Sequence, residues 1–467
     1  MISAKKIFLI EDTTEFAKIS GDWNPIHTDV ISARRLIAGE VVVHGILGLL
    51  WAIESYVDNH KQPISSIHCN FLNPITLGKE HTLKIEYEAS NEAHLIIYSE
   101  NKPCLRTMIE FQGVKNTEIP QRHVSKNVLP DKNLFNDLKQ KKGTIHPNYQ
   151  EEELKKILPK TLNNIGMTSL SSILCLSKLV GMRCPGMNSL FSSLKLSVKS
   201  LDSNIGINWH VSRFLNEIAP IKIDFDGCGV IGEIEAFFRP GIVNQKSIDL
   251  ILGNVEPNKF KNQNALVIGG SRGLGEVVTK IIAAGGGKVL ATYFNGKDDI
   301  DKMLSSFTKH KLNVQSTKLD INNLTDLNKI ILNESISHIY YFASPRIIPN
   351  KSKDLDQTLL KNYQHYYVDQ FRVLLKVLEK LSNIKFKVFY PSTIFIDENM
   401  NDFLEYIQSK KEGEELSCII EKNCSNIKIL KTRLPRMHTD QTVGITKLKT
   451  KDNLLVMLEI VQNMSDS

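Results

Sequence analysis

The sequence predicts an α+β region, in which an enclosed apolar helix is wrapped by antiparallel strands and the pattern then repeats, followed by an α/β domain with a doubly wound parallel sheet. Three observations predict this. Val41 to Tyr56 is apolar on nearly every face and precedes a series of strand-like segments. A similar succession recurs after residue 166. Finally, Ala265-Leu-Val-Ile-Gly-Gly-Ser-Arg-Gly-Leu-Gly275 sets a glycine turn between an apolar strand and a helix, at the head of alternating strands and helices.

At 467 residues the chain has room for two or three domains, and 42% hydrophobic with 23% charged residues is enough to build large cores. The net charge of +7 comes without a basic block or an arginine-aromatic stripe, so nucleic acid is not an expected partner. Anionic small molecules fit it better. The longest apolar stretch, Val41 to Ile53, is interrupted by His44 and falls short of the ~20 residues of a membrane span. Lys5 and Lys6 are followed by too few apolar residues before Glu11 to make a signal peptide. Seven cysteines form no CxxC pair and leave one odd, which points to a reducing cytoplasm and to no metal site.

In chain order, the N-terminus reads as a strand. Phe16-Ala-Lys-Ile-Ser-Gly-Asp-Trp-Asn-Pro-Ile-His-Thr-Asp29 then sets Asp22 and His27 five residues apart across Pro25. A loop is expected here, because proline has no amide donor and biases Asn24 away from the α region. Carboxylate and imidazole are thereby free to turn toward one point, where they can hold and activate a water. The plainer alternative is a pair that only caps and turns a surface loop. Ala33 to Ala38 reads as a short helix and Val41 to Tyr56 as the enclosed one. Strands follow at Ser66 to Leu72, His81 to Ala89, Leu95 to Ser99 and Arg106 to Gln112, completing a first domain over 1–120.

Residues 121–165 are polar and Lys-rich and read as a linker with a helix from Glu151 to Leu158. Residues 166–250 read as a second, degenerate unit, with an apolar helix over Leu170 to Val180 and strands at Ile207 to Arg213, Ile221 to Phe225 and Gly232 to Phe238. Ser189 to Leu196 echoes Ser66 to Leu72, and Pro185-Gly186 echoes His44-Gly45. An unrelated α+β segment is the alternative for this part. Residues 251–262 read as a linker and 263–467 as the α/β domain, with strands at Ala265 to Ile268, Val289 to Tyr293, Val314 to Leu319, His338 to Ala343, Lys385 to Tyr390 and Ile427 to Arg433. Gly269, Gly273 and Gly275 allow positive φ and a close approach of backbone to a pyrophosphate at a helix N-terminus. The second strand ends in Thr292 and Tyr293 in place of the acid that would hold the 2′-hydroxyl of NAD. With Arg272 in the turn, this favours NADP(H).

The string F-A-x-x-S-G-D-x-N-P-x-H-x-D followed by V-V-V-H-G resembles the MaoC-like, (R)-specific enoyl-thioester hydratase family of hot-dog folds. The resemblance implies Asp22 and His27 as the catalytic pair and the Gly45 amide in the oxyanion hole. The repeated pattern resembles double hot-dog dehydratases, in which one half keeps the catalytic pair and the other shapes the acyl tunnel. In the eukaryotic hydratases of that kind the second half is active; here it would be the first.

The pattern G-x-x-x-G-x-G, Asp320 after the third strand and Tyr406-Ile-Gln-Ser-Lys410 resemble the short-chain dehydrogenase/reductase family over roughly residues 263–467. That resemblance implies Tyr406 as proton donor, Lys410 on the nicotinamide ribose, Ser392 on the substrate carbonyl and Asn362 as relay. The proton chemistry asks for a phenol whose pKa a nearby ammonium lowers. Gly269, Ser271, Arg272, Gly273, Leu274, Gly275, Thr292, Tyr293, Asp320, Ala343 and Ser344 would line the cofactor. Two departures stand out: Phe342-Ala-Ser-Pro345 replaces an N-N-A-G turn, and only one short helix, Asn453 to Val461, follows the last strand.

Together these resemblances imply an NADPH-dependent reductase of 3-oxoacyl thioesters joined to a dehydratase acting on the (R)-3-hydroxyacyl product. The substrate carrier would be CoA or acyl carrier protein, and the assembly a homo-oligomer with no membrane partner. The alternatives are a chain in which only the hydratase is live, and a thioester-binding scaffold of a larger synthase.

Overall fold

The computed structural model describes residues 2–57, 62–118, 129–201, 205–350, 352, 354–445 and 448–466. The chain divides into two compact units, Met1–Gly241 with Gly444–Thr446, and Ile242–Val443 with Lys447–Ser467.

The first unit is built on one antiparallel sheet of ten strands: β1 (Ile2–Ile7), β2 (Ile64–Phe71), β3 (Glu80–Glu88), β4 (Glu92–Ser99), β5 (Lys102–Phe111), β6 (Lys142–Ile145), β7 (Ser189–Val198), β8 (Ile207–Arg213), β9 (Ile221–Gly227) and β10 (Val230–Phe238). Their order is β1-β3-β4-β5-β2-β7-β10-β9-β8-β6. From each edge inward the two halves read alike: an edge strand, then the third, fourth and fifth strands of that half, then its second. The halves meet at β2 and β7, which pair antiparallel from Ser66↔Ser197 to Asn70↔Ser193. Each half supplies one central helix, Gly45–Tyr56 and Met167–Lys178, packed in the same apolar core. Every residue of Met167–Lys178 is buried, so its serines must find partners inside; Ser172, for example, donates to the Cys228 carbonyl at 2.8 Å.

Several expectations shift. His27 lies not in an open loop but on a single helical turn, Pro25–Thr28, because Pro25 sits at the first helical position and the Asn24 side chain caps the Ile26 amide. The short helix ends at Ala33, and Arg34 to Glu40 form turns; the enclosed helix begins only at Gly45, while Val42 bridges to Thr76. The 121–165 segment is more than a linker: β6 is the edge strand paired with β8, and Pro159–Ile165 forms a helix after Glu151–Ile157. Residues 119–128 of that segment and its approach lie outside the described residues. Pro185-Gly186 does not echo His44-Gly45, because it follows its central helix while His44-Gly45 opens the other; Gly166 holds the corresponding cap position.

In the second unit, β11 (Asn264–Ile268), β12 (Lys288–Tyr293), β13 (Val314–Lys318), β14 (His338–Tyr341), β15 (Phe386–Thr393) and β16 (Ile427–Leu434) form a parallel sheet in the order β13-β12-β11-β14-β15-β16. The order reverses beside β11, which opens a crevice at the strand ends. Alternate residues face opposite cores. Ala265, Val267, Val289 and Tyr340 pack on helices Gly273–Ala284 and Asn453–Asp466, while Leu266, Ile268, Leu290 and Tyr341 face helices Gln370–Lys380 and Leu404–Asn423. The last helix runs to Asp466, five residues beyond its expected end. Phe260, assigned to a linker by its polar neighbours, is 1% exposed and packs where Gly285 leaves room, so the 251–262 segment contributes to the core. Among the described residues no single helix is long and apolar enough to cross a membrane; one bent pair, Pro159–Ile165 with Met167–Arg183, meets the criterion by length and composition only.

Candidate active sites

In the first unit, Asp22, His27 and His44 converge, with one ligand-type atom of each lying within 4.8 Å of the others. Asp22 and His44 are buried and His27 is half-buried. His27 Nδ1 lies 2.6 Å from the Val42 carbonyl. A carbonyl can only accept, so Nδ1 carries the proton and the Nε2 lone pair is left as the base. The same argument on His44, whose Nε2 is 3.0 Å from the Asp22 carbonyl, puts its proton on Nε2; its buried Nδ1 has no hydrogen-bond partner among the described residues. The two imidazoles stack at 3.9 Å between centroids.

The second half of the unit holds the carboxylate. Ser177 Oγ donates to Asp22 Oδ2 at 2.7 Å, and the Asn24 amide to Oδ1 at 3.2 Å. Gly181 is required at its position: a Cβ there would stand 2.2 Å from Asp22 Oδ1. The Asn24 side chain donates to the Gly181 carbonyl at 2.9 Å and reaches those of Gly186 and Met187 at 3.2 and 3.3 Å. The motif segment is thus clamped onto the turn after the second central helix.

Burial pulls the two titratable groups in opposite directions. Desolvation lifts Asp22 from an ordinary 3.8 to about 7, against the bonds from Ser177 and Asn24. Desolvation also lowers His27 to about 4, helped by the charge of Arg239 and opposed by the Val42 carbonyl. A carboxyl that keeps its proton beside an imidazole that stays neutral is an acid and a base within reach of one substrate.

Gly45 opens the central helix with His44 as its cap, and the first intrahelical bond runs from the Gly48 amide to the His44 carbonyl at 3.1 Å. The amides before it belong to the positive end of the helix. A Cβ on Gly45 would lie 2.8 Å from the Phe71 ring, which packs at a tilt against Phe191 of the other half, 4.8 Å between centroids.

In the second unit, the glycine turn joins β11 to its helix. Gly269 and Gly273 have φ of +78° and +58°, and a Cβ on Gly275 would lie 2.2 Å from the Gly269 carbonyl oxygen. Ser271 is buried, and Leu274 is half-buried on the first turn. Thr292 is buried and accepts from the Gly269 amide at 3.2 Å, so its hydroxyl closes the turn. Arg272 Nη1 lies 3.4 Å from Asp440, and Tyr293 is half-buried on the core. Asp320 accepts from Asn322 at 2.9 and 3.0 Å. Ala343 is half-buried, and exposed Ser344 shares a 2.6 Å bond with the Tyr367 hydroxyl.

Tyr406 is 8% exposed among Tyr363, Tyr367 and Phe395, and its hydroxyl is bonded to Thr393. Burial raises its pKa, opposite to the lowering expected from a neighbouring ammonium. Lys410, also buried, donates to the Pro391 carbonyl at 2.6 Å with its ammonium 3.7 Å over the Tyr367 ring; desolvation brings it down to about 7. Two expected members of this site face elsewhere. Ser392 bonds to Glu414, which Arg433 holds in a fork at 2.9 and 2.7 Å. Asn362 is exposed, one residue before buried Tyr363. Successive residues on a strand point to opposite faces, and a single step on a helix turns the side chain by about 100°. A one-residue offset therefore empties the expected position and gives it to Thr393.

Residues 6–100 match the family model for the MaoC like domain. No curated protein sequence matches the chain. Among solved structures, a short chain dehydrogenase from Salmonella enterica serovar Typhi is 15% identical, covering 45% of this chain and 93% of that one at a TM-score of 0.40. FolM alternative dihydrofolate reductase 1 from Brucella suis, solved with NADP, is 14% identical over 44% of this chain and 90% of that one at 0.37. An alcohol dehydrogenase from Thermococcus sibiricus, complexed with 5-hydroxy-NADP, is 13% identical over 44% and 90% at 0.38.

Sequence reasoning missed Asn24, His44, Ser177 and Gly181 around the MaoC like domain's carboxylate, and Thr393 and Tyr367 beside Tyr406. Asn24 and His44 stood inside the quoted strings and were legible as buried polar residues in apolar surroundings. Ser177 and Gly181 come from more than 150 residues downstream of Asp22, and nothing in their neighbourhood signals that distance.

Proposed function

We propose that the chain is a bifunctional enzyme of 3-hydroxyacyl thioester metabolism, reducing a 3-oxoacyl thioester and dehydrating the (R)-3-hydroxyacyl product to the trans-2-enoyl thioester. The observation that carries this reading is the opposed environment of Asp22 and His27 at the positive end of the Gly45 helix. In dehydration, neutral His27 Nε2 takes a proton from C2, which leaves an enolate at the thioester. The helix-end amides, Gly45 foremost, stabilise its oxygen. The C3–O bond then breaks, the hydroxyl leaves as water with the proton of Asp22, and C2 and C3 become double-bonded. Hydration retraces these steps. We read the second half of the ten-stranded sheet as a second hot-dog that has lost the catalytic pair and supports the first through Ser177, Gly181 and the 186–187 turn.

For the second unit, the glycine turn offers a cradle that any Cβ at Gly275 would fill, which fits a dinucleotide pyrophosphate at the helix N-terminus. Gly269 to Gly275 would hold it, with Ala343 and Ser344 at the end of β14. Bound there, NADP(H) supplies the hydride. Absence of an acid after β12 supports NADP over NAD; Arg272, already in contact with Asp440, would have to serve two anions. Tyr406 is the proton donor in this reading, Thr393 its hydroxyl partner and Lys410 the nearby cation. A second reading, in which only the dehydratase turns over, is favoured by the bond between Ser392 and Glu414 and by the exposed Asn362.

Acetoacetyl-CoA with NADPH is the test, read by NADPH oxidation and by product mass and chirality. NADPH loss that vanishes in Tyr406→Phe, with crotonyl-CoA formed only when Asp22 is present, supports two activities. Crotonyl-CoA hydration without any NADPH oxidation supports the second reading, and failure of both with longer and carrier-bound acyl groups would leave a scaffold.

A further inference from the structure

Arg239 follows β10 and is 1% exposed. Its guanidinium donates to three carbonyls: Nε to Ser189 at 3.1 Å, Nη2 to Met187 at 2.6 Å and Nη1 to Pro240 at 3.4 Å. Its own amide donates to the Asn188 carbonyl at 2.7 Å. Among the described residues no carboxylate forms an ion pair with it. A buried cation that lacks a counter-anion is costly, and proteins usually pair or remove it. Here it lies against the site. The Met187 carbonyl that Arg239 binds is also reached by the Asn24 side chain, and the Asn24 amide binds Asp22 Oδ1. The charge of Arg239 also acts on His27, in the direction that lowers its pKa. From the first half, Asp22 and His44 converge on His27, and Asp29, another carboxylate, closes the same helical turn. From the second half, Lys178 lies against Gly21, and Arg183 is paired with Asp131 at 3.0 Å.

We propose that Arg239 is a positioning residue of the dehydratase site, anchoring the Asp22–Asn24 segment through the Met187 carbonyl and presenting an unneutralised positive charge to His27. This rests on the dehydratase reading above. Before substrate arrives, the charge disfavours imidazolium, so His27 is ready to accept a proton. When the enolate forms, the same charge faces a negative one across a buried site, where preorganised charge acts strongly. A carboxylate partner would cancel both effects, which gives its absence a purpose.

The test uses the full chain with Arg239→Lys, Arg239→Met and Arg239→Gln. The His27 imidazole is titrated by NMR, its signal assigned by loss in His27→Asn, and crotonyl-CoA hydration is measured across pH. In the Met and Gln variants the His27 titration should move up toward the ordinary histidine value and kcat should fall by at least about tenfold, with KM within about twofold. Lys should leave the titration where it is. Gln keeps a donor for the Met187 carbonyl, so it carries the test if Met does not fold. An unchanged His27 titration in both neutral variants overturns the proposal, as does an unchanged kcat. The titration needs no turnover: a wild type that titrates as expected yet hydrates no thioester would refute the dehydratase reading alone.

Discussion

Asp22 is held where its ionised form is least welcome, and the cost can be measured. The folded carboxyl titrates near 7 against an ordinary 3.8, so the folded chain binds that proton more tightly, and the stability it contributes is lost as pH rises from about 4 through 7. Asp22→Asn removes this loss while its amide oxygen still accepts from Ser177. We expect its melting temperature to match wild type near pH 4 and to exceed it at pH 8, by on the order of 4 kcal/mol in stability; turnover of crotonyl-CoA should drop about a thousandfold. His27 has the opposite sign: lowered to about 4 from 6.5, its contribution is lost as pH falls through that range. For the proposed dehydration, in which neutral His27 would act as base and protonated Asp22 as acid, kcat/KM should rise through about 4 and fall through about 7. A single limb would refute this division of labour. Gly181→Ala forces a methyl against Asp22 and should cost hydration at least about a hundredfold with the fold retained, as circular dichroism can check.

At the scale of elements, the reductase-like centre turns on which face of β15 carries which hydroxyl. Thr393→Val removes the bond to Tyr406 and should lower NADPH-dependent reduction by about tenfold or more. Ser392→Ala should leave the rate within about threefold and act through the Glu414–Arg433 pair instead. The reverse ranking would restore the serine to the role the sequence suggested. Helix Leu404–Asn423 needs Gly413 for the same strand: a Cβ there would lie 1.9 Å from the Tyr390 hydroxyl, so Gly413→Ala should displace the helix bearing Tyr406 and Lys410 and cost on the order of 2 kcal/mol in a denaturant melt. The sequence showed the strands and helices of this unit well, because alternation and glycine placement are local signals. Where Ser392 and Asn362 point was not legible, because a shift of one residue leaves an element intact while it turns a side chain to another face.

At the scale of the molecule, the proposed dehydratase site belongs to the whole of the first unit. Asp22 and His27 lie in the matched MaoC like domain, yet the groups that hold Asp22 lie at 177 and 181, and the β2–β7 pairing joins the halves through one continuous sheet. A fragment of residues 1–118 would leave β2 as an open edge and the carboxylate without Ser177, and should be insoluble or inactive in crotonyl-CoA hydration. Residues 1–241 should retain the activity within about tenfold, since they carry every contact to Asp22 described above. Activity in the shorter fragment would show that the second half is dispensable.

The sequence by itself determined the class of each region, the positions of nearly all strands, the Asp22–His27 pair and the glycine turn. These depend on residue type at short spacing, and local spacing is what fixes backbone conformation. Only the tertiary structure decided which groups surround them. Ser177, Gly181 and Arg239 reach the first half through sheet pairing across more than a hundred residues, and the protonation of Asp22 and His27 follows from burial that no local pattern encodes. The carboxyl and imidazole are written in one short motif, but Ser177 and Gly181, which hold the carboxyl, come from the half of the unit that carries no such motif.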